Sequence, residues 1–102
     1  MSVVRISRGS FDFSRSAQFE AMLQDSAAVL VPALRKLKGL KNYYAGIDSA
    51  SGTMINVSVW DTVDDARQMD LLPEMAAAGK SFAAAGVQFE RPIINYSSLW
   101  SI

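Results

Sequence analysis

Apolar residues recur along the first third of the chain with the spacings of one strand and one long helix. A β-branched run predicts a strand over about residues 2 to 9, ending at Gly9. After Ser14 or Ser16, either of which suits a helix N-cap, the spacing becomes that of one helix face. The apolar residues of that face are Phe19, Met22, Leu23, Ala27, Leu30, Leu34 and Leu37. Pro32 is expected to kink or divide this helix and Gly39 to end it.

The remaining two thirds predict a hairpin, more helix and a final strand region. Residues 41–48 and 53–61 are strand-like, and the Ser- and Gly-containing residues 49–52 between them favour a hairpin. Thr62 and Asp65 form a short version of a capping box, which predicts a second helix. Pro73 interrupts that region and suits the first position of a further helix, which Gly86 closes. Residues 87–89 and 93–100 are β-like, and the proline between them indicates an edge strand or a strand entry.

The order strand, helix, strand, strand, helix, strand predicts an α+β fold. It is the ferredoxin-like βαββαβ arrangement, in which right-handed crossovers place both helical segments on one face of a four-stranded antiparallel sheet. A chain of 102 residues is expected to form one domain, residues 1–102. The other face of the sheet is then left bare.

Alternation along the strands predicts which side chains lie on that bare face. On the third strand, Ile55, Val57 and Val59 are uniformly aliphatic and are expected to face the helices. The alternate residues of the first three strands are expected on the bare face: Val3, Arg5, Ser7, Asn42, Tyr44, Gly46, Met54, Asn56, Ser58 and Trp60.

The neighbouring strands leave two points of register open. Val4 and Ile6 are expected to face the helices, as is Tyr43, but a slip of one residue in the hairpin would exchange Tyr43 for Tyr44. The last strand contributes Tyr96 or its neighbours to the bare face.

The apolar side chains expected on the bare face are too many to be left in contact with water. The simplest cover is a second copy: two sheets packed face to face would form an isologous homodimer enclosing a barrel. A pocket for a small hydrophobic or aromatic molecule is expected either between sheet and helices or within that barrel.

Composition excludes several function classes. Ten Lys and Arg balance ten Asp and Glu, so nucleic acid and anionic membranes are not expected partners. The absence of Cys and His removes disulfides, thiolate chemistry and the commonest metal ligand and base, and no metal site is predicted. The longest apolar run, residues 27–34, is far shorter than the about 20 residues of a membrane span, and no signal peptide is evident. A soluble, cytoplasmic protein is expected.

Two stretches of sequence resemble a known family. Residues 39–48, and Ser58, Val59, Trp60 and Asp61 before an acidic helix start, resemble the antibiotic biosynthesis monooxygenase-like family of dimeric α/β barrels. The resemblance covers nearly the whole chain. Haem-degrading members use a His to ligate iron, and a chain without His is not expected to share that activity. Other members need no cofactor, because a deprotonated phenol or enol substrate itself passes an electron to O₂.

The resemblance implies a set of site residues for such an oxygenase. Asn56 and Trp60 would be catalytic, as amide donor and aromatic wall. The substrate-binding residues would be Arg5, Tyr44, Met54, Ser58 and Tyr96. The base is left open between a Tyr, a carboxylate such as Asp48, and water.

Each of these residues also has a structural interpretation. Trp60 suits core or interface packing, and a cross-strand bond to Tyr44 would satisfy the Asn56 amide. The alternative function is therefore a non-catalytic homodimer that binds a small ligand or serves as a structural module.

Overall fold

An antiparallel sheet of five strands carries the helices on one face. The computed structural model describes residues 2–102. Its strands and helices, in chain order, are β1 Val3–Ser10, α1 Ser16–Arg35, β2 Leu40–Asp48, β3 Thr53–Trp60, α2 Val63–Ala66, α3 Pro73–Ala85, β4 Gln88–Phe89 and β5 Ile94–Ser97. The predicted α+β, ferredoxin-like βαββαβ class is confirmed. None of the helices in the described residues is long and apolar enough to cross a membrane.

The central strands of the sheet are β1 and β3. The order is β2, β3, β1, with β4 and β5 both pairing along the far side of β1. These two short strands replace the single fourth strand of the prediction, and Pro92 lies between them. Because proline has no N–H to donate to a ladder, it suits this break at the sheet edge. The predicted edge position is thus confirmed.

The first helix begins and ends differently from the prediction. Asp12, not Ser14 or Ser16, supplies the cap: its Oδ1 accepts the Ser14 backbone N–H at 3.0 Å and starts a 3₁₀ turn over 13–15 that leads into α1. The helix runs through Pro32 without division. Gly39 ends the connection with φ of 75°, and a Cβ there would collide with the Asp65 carboxylate. Only glycine fits this position.

The second helical region is confirmed in outline and is more broken than expected. Thr62 Oγ1 accepts the Asp65 backbone N–H at 3.0 Å, as the capping pattern predicts. The resulting α2 has only four residues and continues as a 3₁₀ turn over Arg67–Leu71. Pro73 then begins α3, and Gly86 closes it with φ of 119°.

The predicted assignment of the two sheet faces is wrong for β1 and β3. Trp60 is fully buried under the helices, and Val3, Arg5, Met54 and Ser58 are buried on the same side. Two core clusters hold the apolar members: Val3, Leu30, Leu34, Trp60, Ala66 and Met69 in one, and Phe19, Met54, Phe82 and Val87 in the other. Val4, Ile6 and the aliphatic set of β3 therefore lie on the bare face.

The reason is that each face of this sheet carries large apolar side chains, although the helix side also holds several polar ones. Alternation separates two sets of side chains but cannot say which set meets the helices when each could be buried. The helices offer long, flexible core side chains such as Leu30 and Met69, which pack around the Trp60 indole. Ile55, Val57 and Val59 form instead a flat β-branched surface with no helix against it.

The predicted face of β2 is confirmed, but its register against β3 is shifted by one residue from the prediction, which had Tyr44 on the same face as Asn56 and Ser58. Tyr43 lies opposite Ser58 and Tyr44 opposite Val57, so Tyr43 faces the helices and Tyr44 the bare side. The Tyr44 ring is 59% exposed. Tyr96 on β5 lies opposite Val4 of β1 and shares the bare face with Tyr44.

Candidate functional site

A cavity of about 260 Å³ lies between the sheet and the helices, the first of the two locations predicted. Residues of every layer line it: Arg5, Ser7, Leu23, Ser26, Ala27, Leu30, Val31, Leu34, Tyr43, Ala45, Met54, Asn56, Ser58, Met69, Met75, Ala78, Gly79, Phe82, Phe89, Arg91 and Ile93. Several lining residues, including Ala27, Ala45 and Arg91, are exposed, so the cavity opens to solvent. Its volume is near the lower end of the ~300–1,000 Å³ typical of small-molecule pockets.

Arg5 places a buried positive charge on the sheet wall of this cavity. Its side chain is 8% exposed, and Nη2 donates to Asp70 Oδ1 at 2.7 Å. Nη1 donates a longer bond of 3.4 Å to Asn95 Oδ1 on β5. Asp70 is itself 60% exposed and lies outside the lining. The ion pair fixes the guanidinium without closing it off from the cavity.

Asn56 supplies an amide in the middle of the same wall. It lies opposite Ser7 on β1 and Ala45 on β2, both of which also line the cavity. The suggested bond to Tyr44 is excluded, because Tyr44 lies on the other face of the sheet. None of the side-chain hydrogen bonds found among residues 2–102 involves the Asn56 amide. Its donor and acceptor groups are therefore left for a ligand or for water.

Trp60 lies behind the cavity wall. It is not among the lining residues, and its Nε1 donates to Ser58 Oγ at 2.8 Å. Ser58, which is 2% exposed, does line the cavity. The indole thus orients the Ser58 hydroxyl and packs in the core, which is the structural interpretation of this residue.

Tyr43 adds a phenol beside the Arg5 guanidinium. Burial raises the pKa of Tyr43 to about 12, although the nearby Arg5 charge acts in the opposite direction. The phenol therefore stays protonated at neutral pH. It can donate a hydrogen bond to an anion but cannot serve as a base there.

This raised pKa predicts a loss of stability in alkali. Between pH 10 and about 12 the unfolded chain releases the Tyr43 proton and the folded chain keeps it, so stability falls as the pH rises through that window. A pKa raised from 10.0 to about 12 corresponds to roughly 3 kcal/mol of stability. Tyr43→Phe is expected to remove this part of the loss, measured as urea unfolding at several pH values.

Tyr44→Phe is the matched control for that measurement. Tyr44 is 59% exposed in the protomer, so at protein concentrations at which the chain is monomeric the variant is expected to lose stability in alkali as the parent does. Equal alkaline losses in the parent and in Tyr43→Phe would contradict the burial of Tyr43.

Gly79 widens the cavity from the helical side. It lies inside α3, where glycine costs about 1 kcal/mol relative to alanine. A Cβ added at Gly79 would meet no atom within 4 Å. The missing side chain therefore leaves space beside the cavity and is not required by close packing.

The structure divides the predicted site residues between the two faces of the sheet. Four of them line the cavity: Arg5, Met54, Asn56 and Ser58. Tyr44 and Tyr96 lie across the sheet, and Trp60 lies in the core, so the expectation that all seven share one face is wrong. Asp48, suggested as a base, lies outside the lining and accepts a bond from Ser51 Oγ at 2.6 Å.

Sequence reasoning missed three cavity residues with useful chemistry. Tyr43 was assigned to the helix side, where the site now lies, and Phe89 and Arg91 come from the irregular segment around Pro92. The only signal for the last two was their position next to a break in the strand pattern. Among residues 2–102 no cluster of three metal-ligating side chains is formed.

Comparison with known proteins identifies solved structures with a similar fold. No family model matches the chain, and no curated protein matches it. A proposed antibiotic biosynthesis monooxygenase from Deinococcus radiodurans is similar in structure with a TM-score of 0.73, at 19% identity over 98% of this chain and 95% of that one. SnoaB, a cofactor-independent oxygenase from Streptomyces nogalater, gives 0.70 at 16% identity over 99% and 96%.

The chain therefore has the fold of these two proteins. The resemblance that residues 39–48 and 58–61 carry is thereby confirmed at the level of the fold. Because the identities are below 25%, the likeness shows a shared fold and not a shared reaction.

Proposed function

We propose that this protein is a cofactor-independent monooxygenase for a small aromatic or enolisable molecule bound in the cavity. The observation that carries the proposal is the composition of the wall: an apolar chamber in which a buried Arg5 and the Asn56 amide face the same space. Such a site binds a flat apolar ring and stabilises a negative charge that develops on its oxygen.

The proposed chemistry uses the substrate as the reductant of O₂. A ring CH₂ next to a carbonyl loses one proton to water and becomes an enolate, which passes one electron to O₂. The carbon radical and superoxide combine through a new C–O bond, and the peroxide loses its second C–H proton as its O–O bond breaks. The net change is CH₂ plus O₂ to C=O plus H₂O, in which carbon loses four electrons and O₂ gains them.

The residues of the wall act on the anion. Arg5 contributes a fixed positive charge, and Asn56 and the protonated Tyr43 contribute hydrogen-bond donors. In an apolar chamber these groups lower the pKa of a bound enol. No carboxylate belongs to the lining, so the proposed acceptor of the first proton is water.

Asn56→Ala tests this assignment. With an anthrone as substrate, and with no flavin or metal added, we expect O₂ uptake above the spontaneous rate. Loss of one donor to the developing anion is expected to slow uptake by about 100-fold or more. The rate is measured with an oxygen electrode.

Gln24→Ala is the control, because Gln24 is exposed on α1 outside the lining and its variant should keep the parent rate. Tight binding of anthrones without O₂ uptake would contradict the monooxygenase and favour the non-catalytic ligand-binding alternative. Uptake unchanged in Asn56→Ala would remove the amide from the mechanism.

The bare face of the sheet supports a homodimer. It presents eight apolar or aromatic side chains: Val4, Ile6, Tyr44, Ile55, Val57, Val59, Ile94 and Tyr96. Tyr44, Ile94 and Tyr96 are each at least half exposed in the protomer. A surface of this kind is typical of an interface, and in the proposed dimer Tyr44 and Tyr96 pack against the second copy rather than against the substrate.

A further inference from the structure

The charged residues of the cavity lining are both cations. Within residues 2–102, Arg5 and Arg91 are the charged side chains of the lining, and no Asp or Glu accompanies them. The whole chain is neutral, with ten basic and ten acidic residues, so this local excess is a property of the cavity and not of the composition.

The two arginines differ in whether they form a salt bridge. Arg5 is paired with Asp70 at 2.7 Å. Arg91 makes no salt bridge within the described residues, and the adjacent Glu90 lies instead 3.8 Å from Arg8 Nε. Arg91 Nη1 donates to the Glu90 backbone carbonyl at 2.9 Å, which leaves its other N–H groups for a ligand.

The position of Arg91 suits a contact at the mouth of the cavity. Its guanidinium carbon lies 4.9 Å from the centre of the Phe89 ring, and both residues belong to the lining. Arg91 is exposed and Phe89 is half-buried, so the charge lies on the solvent side of an aromatic surface. Stacking on the ring holds the planar guanidinium in place, as is common for arginine.

We propose that the substrate carries a carboxylate, or a similar fixed anion, which Arg91 binds at the mouth while the aromatic body lies against Phe89 and the apolar chamber. This inference rests on the proposed function and names its substrate class. Arg5, deeper in the wall, then meets the oxygen that becomes negative during the reaction. Arginine binds carboxylates through two parallel N–H···O bonds, which gives such a site orientation as well as affinity.

Binding of two matched ligands tests the proposal. The probes are a naphthol and the hydroxynaphthoate that carries one carboxylate on the other ring, titrated calorimetrically into the full chain at neutral pH. We expect the hydroxynaphthoate to bind about tenfold or more tightly than the naphthol, because a charge-assisted bond is added. Arg91→Gln should reduce that preference to within about threefold, and Arg91→Lys should keep part of it because the charge remains.

Two further variants test whether the preference depends on Arg91 itself and whether both ligands bind in the cavity. Arg67→Gln removes an exposed arginine outside the lining, which pairs with Asp64 three residues before it, and should keep the full preference. Gly79→Leu fills space beside the cavity and should weaken both ligands to a similar extent. That result places the shared aromatic ring in the chamber.

The outcomes distinguish this inference from the function on which it rests. Equal binding of the two ligands by the parent, or a full preference in Arg91→Gln, overturns the carboxylate site and leaves the aromatic-binding cavity in place. Failure of the parent to bind either ligand overturns both. The kcat/KM for O₂ uptake can also be compared between an uncharged anthrone and its carboxylate derivatives. If no derivative has a higher value than the uncharged anthrone, the result counts against a carboxylate on the substrate.

Discussion

Trp60→Ala is expected to lower the free energy of unfolding by about 3–5 kcal/mol, the usual cost of truncating a buried tryptophan. The indole is 0% exposed and joins the sheet to Leu30, Leu34 and Met69 in one core cluster. Its removal leaves a cavity that these neighbours fill only in part. It also deprives the buried Ser58 hydroxyl of the N–H that it accepts at 2.8 Å.

Urea unfolding followed by circular dichroism, with all variants at one protein concentration, measures this loss. Leu71→Ala provides the control, since Leu71 is 84% exposed in the 3₁₀ turn and its truncation should cost less than about 0.5 kcal/mol. A Trp60→Ala variant that unfolds at the same urea concentration as the parent would mean that the indole is not in the core.

The helix boundaries show where sequence reasoning succeeded. Local patterns are decided by nearest neighbours along the chain, so the Thr62 cap, the start of α3 at Pro73 and its end at Gly86 were all predictable. The order of these elements then allowed few topologies, because crossovers are right-handed and connections are short. The fold followed from that order without knowledge of any tertiary contact.

The faces of the sheet were not predictable in the same way. Trp60 and Val59 are adjacent, and each belongs to a set that carries large apolar side chains. The choice depends on the volume that α1 and α3 leave above the sheet, which is a property of the packed structure. Arg5 made the error harder to see, because an arginine is expected at the surface and here is buried by its pairing with Asp70.

The candidate site was predictable in part for a related reason. Arg5, Met54, Asn56 and Ser58 stayed together because residues of one parity on paired strands share a face whichever face it is. Arg91 and Phe89 were missed because their segment has no periodicity to extrapolate. The grouping of the central residues therefore survives the exchange of faces, and only their surroundings change from a barrel interior to a chamber under the helices.

The largest effect on assembly is expected from a charge on the bare face. Val57 lies at its centre, opposite Ile6 on β1 and Tyr44 on β2. In the proposed homodimer Val57→Glu would bury two unpaired carboxylates, one from each copy, at a cost of several kcal/mol. We expect the dimer Kd to rise by about 1,000-fold or more. Light scattering coupled to size exclusion should then report 11.1 kDa per particle rather than twice that mass.

Ala77→Glu is the matched control, because Ala77 is exposed on α3, on the other side of the sheet, and an acid there should leave the dimer intact. Circular dichroism on both variants separates a dissociated protomer from an unfolded one. Val57 is only half-buried in the protomer, so Val57→Glu should keep its sheet spectrum. A parent chain that elutes at 11.1 kDa across all concentrations would show that the bare face stays open to water, against the dimer.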